Sequence, residues 1–472
     1  MSTDLDGRSI LVTGATGYVA SRLIPELLSS GALVRVTSRA PSSVEQRHPE
    51  VSAVPSDFTD SPSLRAALED VEIAYYLVHS MATSDFEERD RTAAQNFLAA
   101  AEEAGIKKII YLSGLGRTED RLSGHLASRH EVGRILASGS PVVTEIRCAI
   151  VIGSGSAAFD MLRYLTERLP TMIAPRWLET KIQPIAEDDL VAYLVKAATE
   201  TDPGTVIEVG GADVITYRQM IQRYAALRRL RRVVIGVSLL TPRLSSYWVQ
   251  LMTPVPTSVS RPLIEGLRNE VIVTRADAQK SFPDVHPMGF DEALAAALNR
   301  QEAVLTEEVT SGQPVPGSRV GMLADERRLK IRTDPHDVPG TLEEFGDDAS
   351  WYPIRWAWWV RGQIDRLFTR GRPRSAAELA SPWSSRRWWE LEKSQSDAIL
   401  MRVQLKTPGE AWFAVRVDEE RGDTTLVQTA LFRPRGLLGR LYWWGLWPFH
   451  LPIFHLMARR MARRLSGIKN SN

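Results

Sequence analysis

Near the start of the chain two glycines three residues apart close an apolar run, Ile10-Leu11-Val12-Thr13-Gly14-Ala15-Thr16-Gly17-Tyr18-Val19-Ala20. A strand, a glycine turn and a helix start, in that order, can cradle a pyrophosphate. Glycine lets the backbone come close, and the first turn of the helix offers unpaired N–H groups and the positive end of its dipole. The spacing is G-x-x-G-x-x-A, with Ala20 small where helix and strand pack closely. Thr13, Gly14, Thr16, Gly17, Tyr18 and Val19 are thus the expected phosphate-side residues. A dinucleotide held there is discriminated at the end of the second strand, where an acid takes a ribose 2′-hydroxyl and arginine suits a 2′-phosphate. That strand ends Thr37-Ser38-Arg39 with no carboxylate. The expectation is therefore NADP(H) in preference to NAD(H), with Arg39 pairing the phosphate and Ser38 adding a hydrogen bond. A solvated Arg39 is the competing reading.

The surrounding elements fit that role. Apolar runs at Ser9–Thr13, Leu33–Thr37, Val51–Val54, Ile73–Val78, Lys108–Ser113 and Val142–Ala149 alternate with helical patterns at Tyr18–Ser29, Ser61–Leu68, Asp85–Glu103 and Ser128–Ala137. This is the signature of βαβ units and a doubly wound parallel sheet. A helix at Glu187–Thr199 and a strand at Val206–Val209 follow. The stretch 306–321, rich in Gly, Pro and Ser, is expected as a linker between a domain of residues 1–305 and another of 322–466, with 467–472 a disordered tail. In the second part alternation of period two sets Ile399, Met401, Val403 and Leu405 against Arg402, Gln404 and Lys406. Ala411–Val417 and Leu426–Phe432 repeat it, which predicts an antiparallel meander; Leu437–Leu465 reads as helix.

Composition narrows the function. The 472 residues carry 58 basic and 57 acidic side chains, a net charge of +1, so nucleic acid is not an expected partner. One cysteine excludes an internal disulfide and suits a reducing, cytoplasmic setting. Met1–Gly7 lacks the basic and apolar regions of a secretory signal. The eight histidines show no metal-ligand spacing, so no metal is expected. Leu441–Met457 has no formal charge but falls short of the ~20 apolar residues needed to span a bilayer.

With Thr13–Ala20, Asp57-Phe58 after the third strand, Tyr111-Leu112-Ser113-Gly114-Leu115-Gly116, Arg147 and Gln183–Asp189, residues 8–300 resemble the atypical short-chain dehydrogenases. The NmrA-like, NAD(P)-binding epimerase-like branch is the most similar. The resemblance implies a Rossmann-type fold, Asp57 and Phe58 near the adenine, and Leu77-Val78-His79-Ser80 lining the cofactor cleft. Pro408–Trp412 and Leu437–Trp443 extend it to bacterial proteins that fuse such a domain to a second one. That meander and terminal helix are similar to α+β START-like (helix-grip) ligand-binding domains.

Relatives that act on hydroxyls and carbonyls use Ser with Tyr and Lys four apart on a helix. Ser113 matches the Ser; His125 and Arg129 stand where Tyr and Lys would be. Either His125 is a general acid or base, with Arg129 on the nicotinamide ribose or an anionic substrate and favouring the neutral imidazole, or no proton moves here. Two functions follow. One is an oxidoreductase taking an apolar, quinone-like or aromatic acceptor with help from the C-terminal domain. The other is a non-catalytic NADP(H)-responsive sensor or lipid binder. The aromatic front Tyr442–Phe454 and basic end Arg459–Arg464 suit either a helix closing a ligand cavity or a peripheral membrane contact. Cys148 is expected to be inert core.

Overall fold

The computed structural model describes residues 5–39, 41–45, 47–79, 85–116, 122–199, 206–237, 264–266, 269–312, 319, 321–332, 338, 342, 389–404, 407–420 and 423–466. The chain divides into two compact units, Met1–Thr166 with Thr171–Leu298, and Glu167–Pro170 with Asn299–Asn472.

The first unit is built on seven parallel strands: β1 (Ser9–Val12), β2 (Leu33–Ser38), β3 (Ser52–Pro55), β4 (Ile73–Tyr76), β5 (Lys108–Gly114), β6 (Val142–Cys148) and β7 (Val206–Val209). Their order across the sheet is β3-β2-β1-β4-β5-β6-β7. Strand order reverses between β1 and β4, which opens a crevice beyond their carboxyl ends where ligands of doubly wound sheets bind. Helices α1 (Tyr18–Ser29), α2 (Pro41–Glu45), α3 (Ser61–Leu68), α4 (Phe86–Glu103), α5 (Gly124–Leu136), α6 (Ala157–Arg168) and α7 (Glu187–Thr199) lie between strands.

Helices cover both faces of the sheet, which explains the continuous apolar strands. Ile110 and Leu112 join Ile10 and Val12 in a core with Leu23, Ile24 and Leu27 of α1 and Leu190 and Leu194 of α7. Ile109 and Tyr111 point the other way, with Leu11, into a core with Leu64 and Leu68 of α3, Phe97 of α4 and Leu136 of α5. Ala20 is buried at the start of α1, as the loop spacing requires. Helix α5 begins a turn earlier than its periodicity suggests. Ser123 caps it, accepting from the Leu126 N–H at 3.4 Å. Gly124 and His125 are poor helix formers and hide that first turn in the sequence; the cap holds it.

In the second unit β8 (Leu323–Ile331), β9 (Trp389–Ser394), β10 (Ala398–Val403), β11 (Gly409–Glu420) and β12 (Asp423–Pro434) form an antiparallel sheet in the order β8-β12-β11-β10-β9. Further helices are α8 (Tyr217–Leu227), α9 (Asp277–Ser281), α10 (Phe290–Ser311) and α11 (Gly436–Leu465). Two expectations change. Residues 306–311 are not linker but the last turns of α10, where Val309 is buried. The second face of β10 is not solvated: Leu400 packs with Trp412, Ala414 and Leu431 against Leu305 and Val309 of α10. Arg402 remains on that side, stacked 5.2 Å over Trp412. On the first face Ile399, Met401, Phe413, Val415 and Leu426 meet Phe454, Met457, Met461 and Leu465 of α11. The meander tolerates burial on both faces because helices cover each side. Leu405, Lys406, residues 313–318 and the tail from 467 lie outside the described residues.

Candidate active site

The glycine turn has the shape that its spacing demands. Gly14 has φ +66°, a conformation that side chains rarely adopt, and a Cβ there would sit 3.3 Å from the Leu77 carbonyl. Gly17 caps α1 in extended geometry with no side-chain cap, and its N–H donates to the Gly14 carbonyl at 2.8 Å. A Cβ on Gly17 would stand 3.0 Å from that same oxygen. Two positions closed to side chains, with an uncapped helix N-terminus between exposed Thr16 and half-buried Val19, fit a diphosphate. Thr13 acts behind the turn: its buried hydroxyl donates to the Tyr75 carbonyl at 2.9 Å and accepts from the Leu77 N–H at 2.9 Å, tying β1 to the end of β4. The Tyr18 phenol donates to Glu187 of α7, which Arg22 also meets at 3.2 Å.

At the far end of the crevice Ser38 is buried and Arg39 exposed. Asp57 sits across from them. Hydrogen bonds from the Thr59 backbone at 2.9 Å and hydroxyl at 2.8 Å hold its carboxyl below the usual range, and the charge of Arg39 adds to this. Phe58 is half-buried, stacked on Phe97 at 5.9 Å and edge-on to Tyr76 at 5.8 Å; the Asn96 amide holds its carbonyl. The Asp57–Phe58 segment is therefore anchored to β4 and α4.

Beyond β4, three side chains distant in sequence form one hydrogen-bonded chain. Asp90 Oδ2 of α4 lies 2.6 Å from His79 Nδ1, and His79 Nε2 lies 3.1 Å from His125 Nδ1 of α5. The two imidazoles are 4.8 Å apart between ring centres, tilted by 40°. The Asp90 side chain is 4% exposed and that of His79 14%. Burial pushes the His125 pKa down to about 3, with help from His79 and Arg129. Burial also lowers His79, against the upward pull of its hydrogen bond to Asp90. The first turn of α5 further disfavours a cation at His125.

Ser113 is buried on β5 beside Tyr111. Burial lifts the Tyr111 pKa to about 12, and its hydroxyl donates to the Arg129 carbonyl at 2.9 Å. The Arg129 guanidinium donates to the Leu112 carbonyl and lies 5.0 Å over the Tyr111 ring, so the scaffold takes part of its binding capacity. Cys148 is buried and its thiol is pushed up to about 12, which makes it inert. Val78 is half-buried beside the Gly14 turn; Ser80 lies outside the described residues.

Sequence reasoning missed Asp90, although a signal was present. Asp90 falls on the stripe of α4 that also carries Ala93, Ala94, Phe97 and Ala101, all buried. A carboxylate at a core position of an amphipathic helix needs a buried partner, and that partner is His79.

Comparison with known proteins bears on both units. Residues 14–139 match a family model described as NAD(P)H-binding, and residues 320–457 match one described as Protein of unknown function (DUF2867). The chain is 25% identical over 246 residues to NADH dehydrogenase (ubiquinone) 1 alpha subcomplex subunit 9, mitochondrial, of Arabidopsis thaliana, covering 49% of this chain and 61% of that protein. It spans less than two thirds of the length of the curated relatives it matches. Among solved structures, triphenylmethane reductase of Citrobacter sp. complexed with NADP(H) has a TM-score of 0.51 at 18% identity, covering 61% of this chain and 99% of that one. NADPH-dependent quinone oxidoreductase of Escherichia coli, complexed with NADPH, has a TM-score of 0.51 at 19% identity, covering 61% and 100%. The first unit thus shares the Rossmann-like fold of these structures, and residues 14–139 of it match the NAD(P)H-binding family model.

Proposed function

We propose that the protein is an NADP(H)-dependent oxidoreductase that acts on an apolar, quinone-like or aromatic acceptor. The observation that carries this reading is the Asp90–His79–His125 chain, set at the crevice that the glycine turn borders. A reduced nicotinamide bound in that crevice would supply a hydride; the residues of this chain would handle the proton. With the Asp90 carboxylate accepting from His79 Nδ1–H, His79 Nε2 accepts from His125 Nδ1–H, and His125 Nε2 is left as a base. A proton gained at His125 Nε2 can be matched by release of the Nδ1 proton to His79 and of the His79 Nδ1 proton to Asp90. The charge change then falls on Asp90, and neither ring has to hold an imidazolium that its burial disfavours. Run backwards, the same shift delivers a proton from His125 Nε2 to the reduced acceptor. Such a relay answers the loss of the Tyr–Lys pair.

Preference for NADP(H) is supported by Arg39 and Ser38 at the end of β2, with no carboxylate on that strand. The apolar acceptor is supported by two names among structures of the same fold, a triphenylmethane reductase and a quinone oxidoreductase. For the C-terminal unit, a START-like role in taking an apolar ligand draws on Gln428. Its amide is fully buried on the aromatic side of the sheet and donates to the Phe454 carbonyl at 3.2 Å, while its oxygen has no partner among the described residues.

The test is steady-state NADPH oxidation with a panel of quinones and aldehydes, wild type against His125→Ala. Turnover that collapses in the variant while NADPH still binds supports the proposal. Turnover unchanged by the substitution removes the relay. Tight NADPH binding with no turnover on any acceptor would favour the non-catalytic, redox-responsive binder.

A further inference from the structure

Half of the exposed large hydrophobic side chains among the described residues lie on one helix. Of fourteen, seven belong to α11: Leu437, Leu438, Leu441, Trp444, Phe449, Leu451 and Leu456. Leu438 is 70% exposed, Leu441 62%, Phe449 61% and Trp444 56%. At 100° per residue Leu438, Leu441, Trp444 and Phe449 fall on one side of the helix, together with exposed Pro448 and Pro452. The same outward side ends in exposed Arg459, Arg460 and Arg463. The opposite side, Trp443, Phe454, Met457, Met461 and Leu465, is buried on the sheet. The helix is therefore held by one side and leaves a bare apolar stripe on the other, contiguous and unlike the scattered apolar residues of an ordinary surface.

We propose that α11 docks the protein in the plane of an anionic lipid bilayer, with Leu438, Leu441, Trp444 and Phe449 in the acyl boundary and Arg459, Arg460 and Arg463 on headgroup phosphates. Charge selects this occupant. The thirty residues of α11 contain five arginines and no carboxylate. A second copy meeting the same face would bring its own Arg459, Arg460 and Arg463 and no acid from the helix: a parallel copy sets like charges together, and an antiparallel copy sets each arginine end on the partner's apolar end. An anionic surface complements the arginines, and tryptophan at an apolar–polar boundary is the usual composition of an interfacial helix. Spanning is not the alternative, since among the described residues no helix is long and apolar enough to cross a membrane. The inference is independent of the proposed chemistry in the first unit.

Flotation of the full chain with extruded vesicles tests it, using phosphatidylcholine with and without phosphatidylglycerol at low and high salt. Wild type is expected to float with the phosphatidylglycerol vesicles at low salt and to be released by high salt. The triple variant Arg459→Gln, Arg460→Gln, Arg463→Gln should bind them about 100-fold more weakly. The double variant Trp444→Glu, Phe449→Glu should bind at least ~10-fold more weakly. Both variants change solvent-facing residues, so their thermal unfolding and NADPH binding should match wild type; those controls separate loss of docking from loss of fold. Wild type that floats with neither vesicle, or variants that float as well as wild type, would overturn the proposal. A concentration-dependent dimer in light scattering, without flotation, would assign the stripe to a second copy instead.

Discussion

The glycine turn and the histidine chain border the same crevice, but they are built in opposite ways. The turn is a run of consecutive residues whose chemistry is backbone: two positions closed to side chains and a helix end without a cap. The histidine chain takes one side chain each from the loop after β4, from α4 and from α5, separated by 11 and 46 residues from His79. The backbone site is specified by neighbouring residues and needs from the rest of the fold only the end of β4, where Tyr75 and Leu77 meet Thr13 and Gly14. A side-chain relay needs α4 and α5 to meet over the end of the sheet, so it depends on every layer beneath it. One site should therefore fail in binding and the other in turnover.

Four experiments can break or sharpen that contrast. The largest effect is expected from His125→Ala, which should lower turnover about 10²–10⁴-fold while NADPH affinity by fluorescence titration stays near wild type. Loss of affinity instead would place His125 in the binding site proper. Next, Gly14→Val should weaken NADPH binding at least ~100-fold, since the new side chain is strained at φ +66° and meets the Leu77 carbonyl. A variant that binds normally would show that no diphosphate rests on this turn.

Acid stability measures the relay's burial without any substrate. Unfolded His125 takes a proton below its ordinary value of 6.5, whereas in the fold it stays neutral down to about 3. The unfolded state therefore binds more protons in that window, so stability is full above it and is lost as pH falls from about 6.5 toward 3. Between pH 7 and 5 wild type should lose about 2 kcal/mol more in urea unfolding than His125→Gln does. Equal losses would mean that His125 is not desolvated. The smallest effect concerns cofactor choice: Arg39→Asp should weaken NADPH roughly 10-fold or more relative to NADH, and an equal change in both would remove the assignment of Arg39.

Most of the first unit's framework was readable in order along the chain. Tyr18–Ser29, Ser61–Leu68, Glu187–Thr199 and Val206–Val209 have the expected bounds, because their periodicity is strong; Gly17 and Gly31 border the first, the Asp60 cap opens the second, and Gly204 and Gly210 border the strand. The start of α5 was hidden, since Gly124 and His125 have low helix propensity and it is the Ser123 cap that holds their turn. In the second unit the alternation at Ile399–Val403 correctly showed a strand but not the burial of Leu400, since no local pattern records that α10 covers the other face. In the site, His79 and His125 could be named one by one; their contact and the part of Asp90 could not.

By itself the sequence determined the glycine turn, the parallel alternation and the presence of His125 and Arg129 four apart on one helix, because each is written in neighbouring residues through backbone geometry or helical period. Only the tertiary structure decided that a buried aspartate joins two histidines, that Arg129 turns to the strand, and that one side of α11 stays bare. Those outcomes depend on which faces meet, and burial is set by partners that lie far away along the chain.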